Sequence, residues 1–234
     1  MAYFRNIVLI AAVAGLIAGL GMTVAQELTT VPLILKAETF EQAEDAKASA
    51  QAHVHEDGGV HEHGAGWAPR DGVERTAFTL VANVLTGIGF ALLLLAVSDL
   101  AGGIAGWRQG VFWGLAAFAV FTLAPGLGLP PELPAMPTAE LGPRQLWWVA
   151  TAVCTAGGLA LLVYGRSGLL VVAGVALLVA PHLVGAPQPV SHESPIPESL
   201  HHSFVVAVVM TTLLFWVLLG GLTGILRARF TPTA

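Results

Sequence analysis

The chemistry-bearing residues of this chain concentrate in one stretch, His53-Val54-His55-Glu56-Asp57-Gly58-Gly59-Val60-His61-Glu62-His63. Asp57-Gly58-Gly59 reads as a turn, with a His-x-His arm on each side. Alternate side chains of an extended strand share a face, so each arm sets its two imidazoles on one side. Folded as a hairpin, the arms oppose His55 to His61 and His53 to His63, with opposed Cβ atoms about 5 Å apart. Four imidazoles then converge beside Glu56, Asp57 and Glu62. Imidazole suits zinc, copper, nickel and cobalt, so His53, His55, His61, His63 and Glu62 are candidate ligands of a divalent transition metal. The other reading is a solvated loop that happens to be rich in histidine, because such tracts are only a compositional signal. An imidazole must be neutral to ligate, so metal binding here should weaken as pH falls.

A second set of candidates lies in and near long apolar runs, where polar groups are costly in lipid. Asn83 falls about two helical turns below Glu74 and Arg75. Thr79, Asn83 and Thr86 share a helical face, so with Glu74 they could line a hydrated path for an ion. His182 directly follows Pro181, and His192, His201 and His202 come next. His182, His201 and His202 are further candidate metal ligands. The alternatives are interhelical hydrogen bonding for Asn83 and the threonines, and a satisfied interfacial side chain for His182. There is no G-x-x-x-x-G-K-[ST] phosphate loop, no H-E-x-x-H helix motif and no evident Ser-His-Asp set. No catalytic set stands out, and ion movement would draw on a gradient, the membrane potential or another protein.

The elements that must position these residues follow from composition. Only 11% of the 234 residues are charged, and mean hydropathy is +0.75. Soluble chains carry about a quarter charged residues, so this is an integral membrane protein. A bilayer core of about 30 Å needs about 20 apolar residues in a helix. Stretches 6–26, 77–97, 110–127, 146–164, 168–186 and 203–226 qualify or come close. The expected fold is all-α, a polytopic membrane bundle of about six transmembrane helices with one long His/acid-rich extramembrane loop after the first. The expected organisation is a first helix at 1–26, an extracytoplasmic amphipathic helix and loop at 27–76, five further helices at 77–226, and a basic tail at 227–234. Thr23-Val24-Ala25 could precede a signal cleavage, but the apolar part of the first run exceeds the usual signal length, which favours an uncleaved span. Net charge is −5 with no basic patch, so nucleic acid is not an expected partner. Cys154 is single and sits in an apolar run as a packing residue.

Lys and Arg in short loops set orientation. With both termini cytoplasmic, the inner segments hold Arg5, Arg108, Arg166, Arg227 and Arg229, while the outer side keeps Arg144 after the third span and Lys36, Lys47, Arg70 and Arg75 in the long first loop. Ten acids from Glu27 to Glu74, together with Glu132, Glu140, Glu193 and Glu198, then lie outside, and only Asp99 lies inside. All eight histidines fall on the outer side or near outer span ends. An acidic outer face raises the local cation concentration.

Within the long loop, Pro32 fits a first helical turn. Leu33, Ile34, Ala37 and Phe40 follow at helical spacing, with Glu38, Glu41 and Asp45 on another face, so a helix along the membrane surface is expected. That acidic row is either a cation relay or the wet side of the helix. Gly15/Gly19 and Gly220/Gly224 are small-xxx-small pairs that let helices approach closely. The tryptophans are expected mainly as interfacial anchors. Residues Gly126 to Pro134 read as a rigid outer connection rather than a helix.

Four segments carry a family resemblance. They are Pro32-Leu33-Ile34-Leu35-Lys36-Ala37-Glu38 before the His-rich loop; Asp71 to Thr76 leading into Leu80-Val81-Ala82-Asn83-Val84-Leu85-Thr86-Gly87; Leu123 to Pro134 followed by Arg144-Gln145-Leu146-Trp147-Trp148; and Pro181-His182-Leu183-Val184-Gly185-Ala186-Pro187. Together they resemble the CbtA family of predicted cobalt transporter subunits over nearly the whole chain. The resemblance implies cobalt uptake linked to cobalamin supply, with the metal as substrate and no required cofactor. It also implies a small one-span CbtB-like protein as partner. The ligand types would bind nickel or zinc as well. Two readings stand. One is a metal-ion permease in the cell (inner) membrane, working alone or in a homo- or hetero-oligomer. The other is a non-transporting metal-binding or scaffold component of a larger complex.

Overall fold

Apolar residues fill all sides of the long segments, which is the pattern of helices surrounded by lipid. The computed structural model describes residues 1–52 and 69–230. The expected histidine hairpin at 53–63 lies outside them. Among the described residues the chain is helical throughout: α1 (Ala2–Leu28), α2 (Thr30–Ala52), α3 (Val73–Leu100), α4 (Trp107–Phe118), a π-helical segment (Ala119–Leu123), α5 (Ala124–Gly128), α6 (Leu141–Tyr164), α7 (Gly168–Val184) and α8 (Glu198–Phe230).

Five helices among the described residues are long and apolar enough to cross a membrane: Tyr3–Leu28, Val73–Leu100, Trp107–Gly128, Leu141–Tyr164 and Glu198–Phe230. The sixth expected span, 168–186, is shorter. α7 has 17 residues, about 25 Å at 1.5 Å per residue. It ends where Gly185, at φ 84°, turns the chain out of helical geometry.

The centre is a group of antiparallel pairs. α1 runs against α3 at Gly15 and Gly19, and a Cβ on Gly19 would sit 2.7 Å from the Val84 Cα. α4 runs against α8, where Gly110 and Gly114 meet Gly220, and Gly224 meets Gly106. The two small-residue pairs therefore do bring backbones together, as the spacing suggested. Ile10, Ala11, Ala14 and Ala18 of α1 pack with Leu94, Leu95, Trp216 and Leu219 in one core. Trp216 is 2% exposed and packs with Phe90 and Phe121, so it is a core residue and not an interfacial anchor. α6 and α7 form a hairpin joined to this core through the Phe121–Trp148 stack.

Two ends result. At one, Asn6 donates to the Phe230 carbonyl, and Asp99 accepts from Tyr3 and pairs with Arg227. The N-terminus and Phe230 are thus at the same end, with Arg5, Arg108, Arg166, Arg227 and Arg229. The basic stretch from Arg227 to Phe230 is the last turn of α8 rather than a separate tail.

At the other end α2 folds back over the bundle. Its Leu33, Ile34, Ala37 and Phe40 pack against Leu133, Ile196, Leu200 and Phe204. The amphipathic pattern assigned to a membrane-surface helix is therefore met by protein. The acidic row is split as well. Glu38 turns toward Arg75, whereas Glu41 stays exposed.

Candidate functional site at the acidic end of the bundle

Two polar features occupy the end opposite Arg5, Arg108, Arg166, Arg227 and Arg229. The first is a column between α1 and α3. Arg75 donates to Glu38 at 2.6 and 3.2 Å and to Asp71 at 2.8 Å. Below it Thr76 donates to Glu27 at 2.8 Å, and Asn83 donates to Gln26 at 2.6 Å and to Thr23 at 3.0 Å. The column stops there, because Gly19 and Gly15 bring the two backbones into contact in the next turns. Of the residues expected to form a path, Glu74 pairs with Arg70, Thr79 is half-buried, and Thr86 is exposed on the outside of the bundle. Asn83 alone has its polar group seated between helices.

The second feature is a break in the third span. Pro125 has no N–H, so the helix cannot keep its regular ladder there. The preceding turn widens into the π-helical segment, with Ala124 N–H reaching the Ala119 carbonyl. Such bulges collect at functional sites. α5 then ends at Gly128, so the outer connection expected from Gly126 begins only at Leu129. Beside the break lies a cavity of about 750 Å³ between the π segment, α6 and α8. Its polar lining is Thr122, Glu132, Arg144 and Gln145, set against Phe121 and Trp148. Arg144 closes on Glu132 at 2.8 Å, with side chains 27% and 22% exposed.

Among the described residues the histidines form no metal-binding cluster. His182 meets the edge of Trp147, whose indole N–H donates to the Pro181 carbonyl at 3.2 Å. His201 Nε2 lies 3.1 Å from the Pro131 carbonyl, and His202 is exposed. Among the described residues no three His, Cys, Asp or Glu side chains gather to hold a metal ion. Sequence reasoning gave Glu132 and Arg144 as outer charges and, with Gln145, as part of the family resemblance, but assigned none of them a site role, and it did not single out Thr122. The available signal was Pro125 followed by Gly126 and Gly128 late in an apolar run, the mark of a discontinuous span.

A lipid-compatible bundle with one interrupted helix and a part-polar cavity at the interruption has the build of a membrane transport protein. The chain belongs to the family described as "Probable cobalt transporter subunit (CbtA)", whose profile matches residues 4–228. This is a family of transporter subunits rather than enzymes, and the word subunit implies a further component. Comparison with the curated proteins and with the solved structures gave no match.

Proposed function

We propose that the chain is the membrane-embedded component of a divalent-cation uptake system, with cobalt as cargo. The observation that carries this is the broken helix at Pro125, which puts a cavity behind Glu132 at the acid- and histidine-bearing end of the bundle. The arginine-rich end is cytoplasmic by the distribution of Arg5, Arg108, Arg166, Arg227 and Arg229, and the acidic end faces outward. His53, His55, His61, His63 and Glu62 make the first capture, aided by His202 and the surrounding carboxylates. The cation then moves toward Glu132 rather than along Thr79 and Asn83, because the glycine contacts below Asn83 leave no room between α1 and α3. A small one-span CbtB-like partner completes the system and supports passage through the remainder of the bundle. The metal is cargo, and no cofactor is required.

A second reading is favoured by the tight α1–α3 and α4–α8 contacts: a metal-binding component that conducts nothing by itself. Uptake of radioactive Co²⁺ into liposomes holding the purified chain, with and without the small partner, separates the two. Saturable, time-dependent accumulation is expected at least with the partner present. Binding without accumulation in either preparation would establish the non-transporting reading.

A further inference from the structure

The large cavity beside the π-helical segment opens toward the bilayer. Leu127 and Val149 line it and are 71% and 51% exposed, and on a membrane-spanning bundle such apolar side chains face hydrocarbon. Its volume of about 750 Å³ exceeds the voids that close packing leaves. It falls among sites that hold a whole small ligand, roughly 300–1,000 Å³. Phe121, Trp148, Val205 and Val209, all half-buried, make the inner wall apolar. An apolar space of this size fills with the solvent around it, which here is acyl chain.

The outer mouth of the cavity is polar. Nη2 of Arg144 donates to Oε2 of Glu132 at 2.8 Å, and among the described residues Oε1 of Glu132 has no partner. A guanidinium carries five N–H donors, so Arg144 can hold Glu132 and still meet a phosphate with another edge. Gln145 lies beside it, and Thr122 sits roughly two helical turns deeper than Leu129. Among the described residues neither side chain makes a hydrogen bond. Thr122 differs here from Thr23, Thr155 and Thr211, which each donate to the carbonyl four residues back. The mouth therefore sets one positive and one negative group side by side, next to polar groups the protein leaves unused.

We propose that this cavity binds one phosphatidylethanolamine from the leaflet at the acidic end, with an acyl chain along Phe121, Trp148 and Val209. The phosphate sits on Arg144 and Gln145, the ammonium on Glu132, and the Thr122 hydroxyl donates to an ester carbonyl. Charge complementarity selects this headgroup. Ethanolamine brings Glu132 a positive charge with three N–H donors, whereas choline brings the charge without a donor and glycerol brings hydroxyls without the charge. An apolar helix of another protein, its backbone bonds closed internally, would leave all four polar groups unmet. Glu132 also lines a smaller cavity of about 160 Å³, where His192 is exposed, so a seated lipid leaves the carboxylate reachable from the water side. Lipid binding here does not depend on the uptake reading.

The purified full-length chain, delipidated in detergent, is titrated with phosphatidylethanolamine, phosphatidylcholine and phosphatidylglycerol. Binding is read by native mass spectrometry and by the thermal midpoint. One phosphatidylethanolamine per chain is expected, held several-fold more tightly than the other two lipids. Affinity for all three falls about tenfold in Arg144→Gln, through loss of hydrogen bonds to a charged group. Glu132→Gln keeps a bound phospholipid and loses only the preference for ethanolamine over choline. Arg144→Gln also strands Glu132, so a variant without that burden is needed. Gly126 lines the cavity, and a Cβ there meets nothing within 4 Å. Gly126→Leu therefore takes up lipid space, and should abolish binding while the lipid-free midpoint stays unchanged. Equal affinity for the three lipids overturns the headgroup assignment. No lipid retained, or full binding in Gly126→Leu, overturns the site. Phosphoethanolamine without chains binding as tightly as the lipid would make this a soluble-phosphate site, and release of the lipid by the purified CbtB-like partner would give the groove to a protein helix; either result overturns the proposal.

Discussion

Among the described residues Asp99 is the single acid at the arginine-rich end, and three helices converge on it. Tyr3 donates to one oxygen at 2.5 Å, Arg227 pairs with the other, and Arg227 is only 14% exposed. Its Nη1 is buried with no hydrogen-bond partner, so the guanidinium depends on this carboxylate. Replacing Asp99 by Asn removes the charge but keeps the shape. The expected loss is on the order of 2–4 kcal/mol, read as a lower thermal midpoint of the purified protein. An unchanged midpoint would mean the pair contributes nothing net. Asn83 presents the opposite case, a polar group without charge. Asn83→Leu forfeits two neutral hydrogen bonds and strands Gln26, costing about 1–2 kcal/mol. Cobalt uptake per folded molecule is expected to stay unchanged. A fall in uptake with stability intact would restore the route between α1 and α3.

Helix α1 meets α3 through bare backbone, and that contact discriminates between neighbouring glycines. A Cβ at Gly15 would collide with the backbone at Gly87 and Ile88, while Gly89 has nothing within 4 Å. Gly15→Leu is therefore expected to abolish folded protein, as overpacking beyond the usual 1–3 kcal/mol. Gly89→Leu should stay within about 0.5 kcal/mol of the parent. Folded yield after detergent extraction checks both. The broken third span gives an element-scale prediction about function. Pro125→Ala returns the missing N–H, lets the π-helical turn close to regular helix and narrows the large cavity. Thermal stability should hold or rise by on the order of 1–3 kcal/mol, while Co²⁺ uptake falls. Uptake at the parent level would separate the bulge from transport.

For the whole molecule the distinguishing property is the contrast between its ends. The N-terminus, Phe230 and five arginines share one end, while Glu27, Glu38, Glu132, His192 and His201 lie at the other. In a Cys154→Ala background, Val190→Cys and Arg108→Cys sit exposed at opposite ends. A membrane-impermeant maleimide added to intact cells should label the first and reach the second only after permeabilisation. The reversed pattern would make the cation-collecting face cytoplasmic and turn uptake into export. α2 unifies the acidic end by packing on α8 and the 129–140 connection while Glu38 holds Arg75 of α3.

By itself the sequence determined that the chain is a helical membrane bundle, because apolar runs near bilayer length leave the backbone no other way to satisfy its hydrogen bonds in lipid. The same sequence, through the spacing of Gly15/Gly19 and Gly220/Gly224, also indicated where helices meet. Partner choice was not legible. Leu33, Ile34, Ala37 and Phe40 carry the same periodicity whether they lie on lipid or on α8, and only the fold decided for α8. Likewise Asn83 reads alike as a path residue or a pin, until Thr23 and Gln26 are found within hydrogen-bond reach. Glu132 and Arg144 lie 12 positions apart along the chain, and Pro131 and His201 lie 70 apart. Nothing local could announce their meeting, because cavities are made where helices from distant segments fail to fill the space between them.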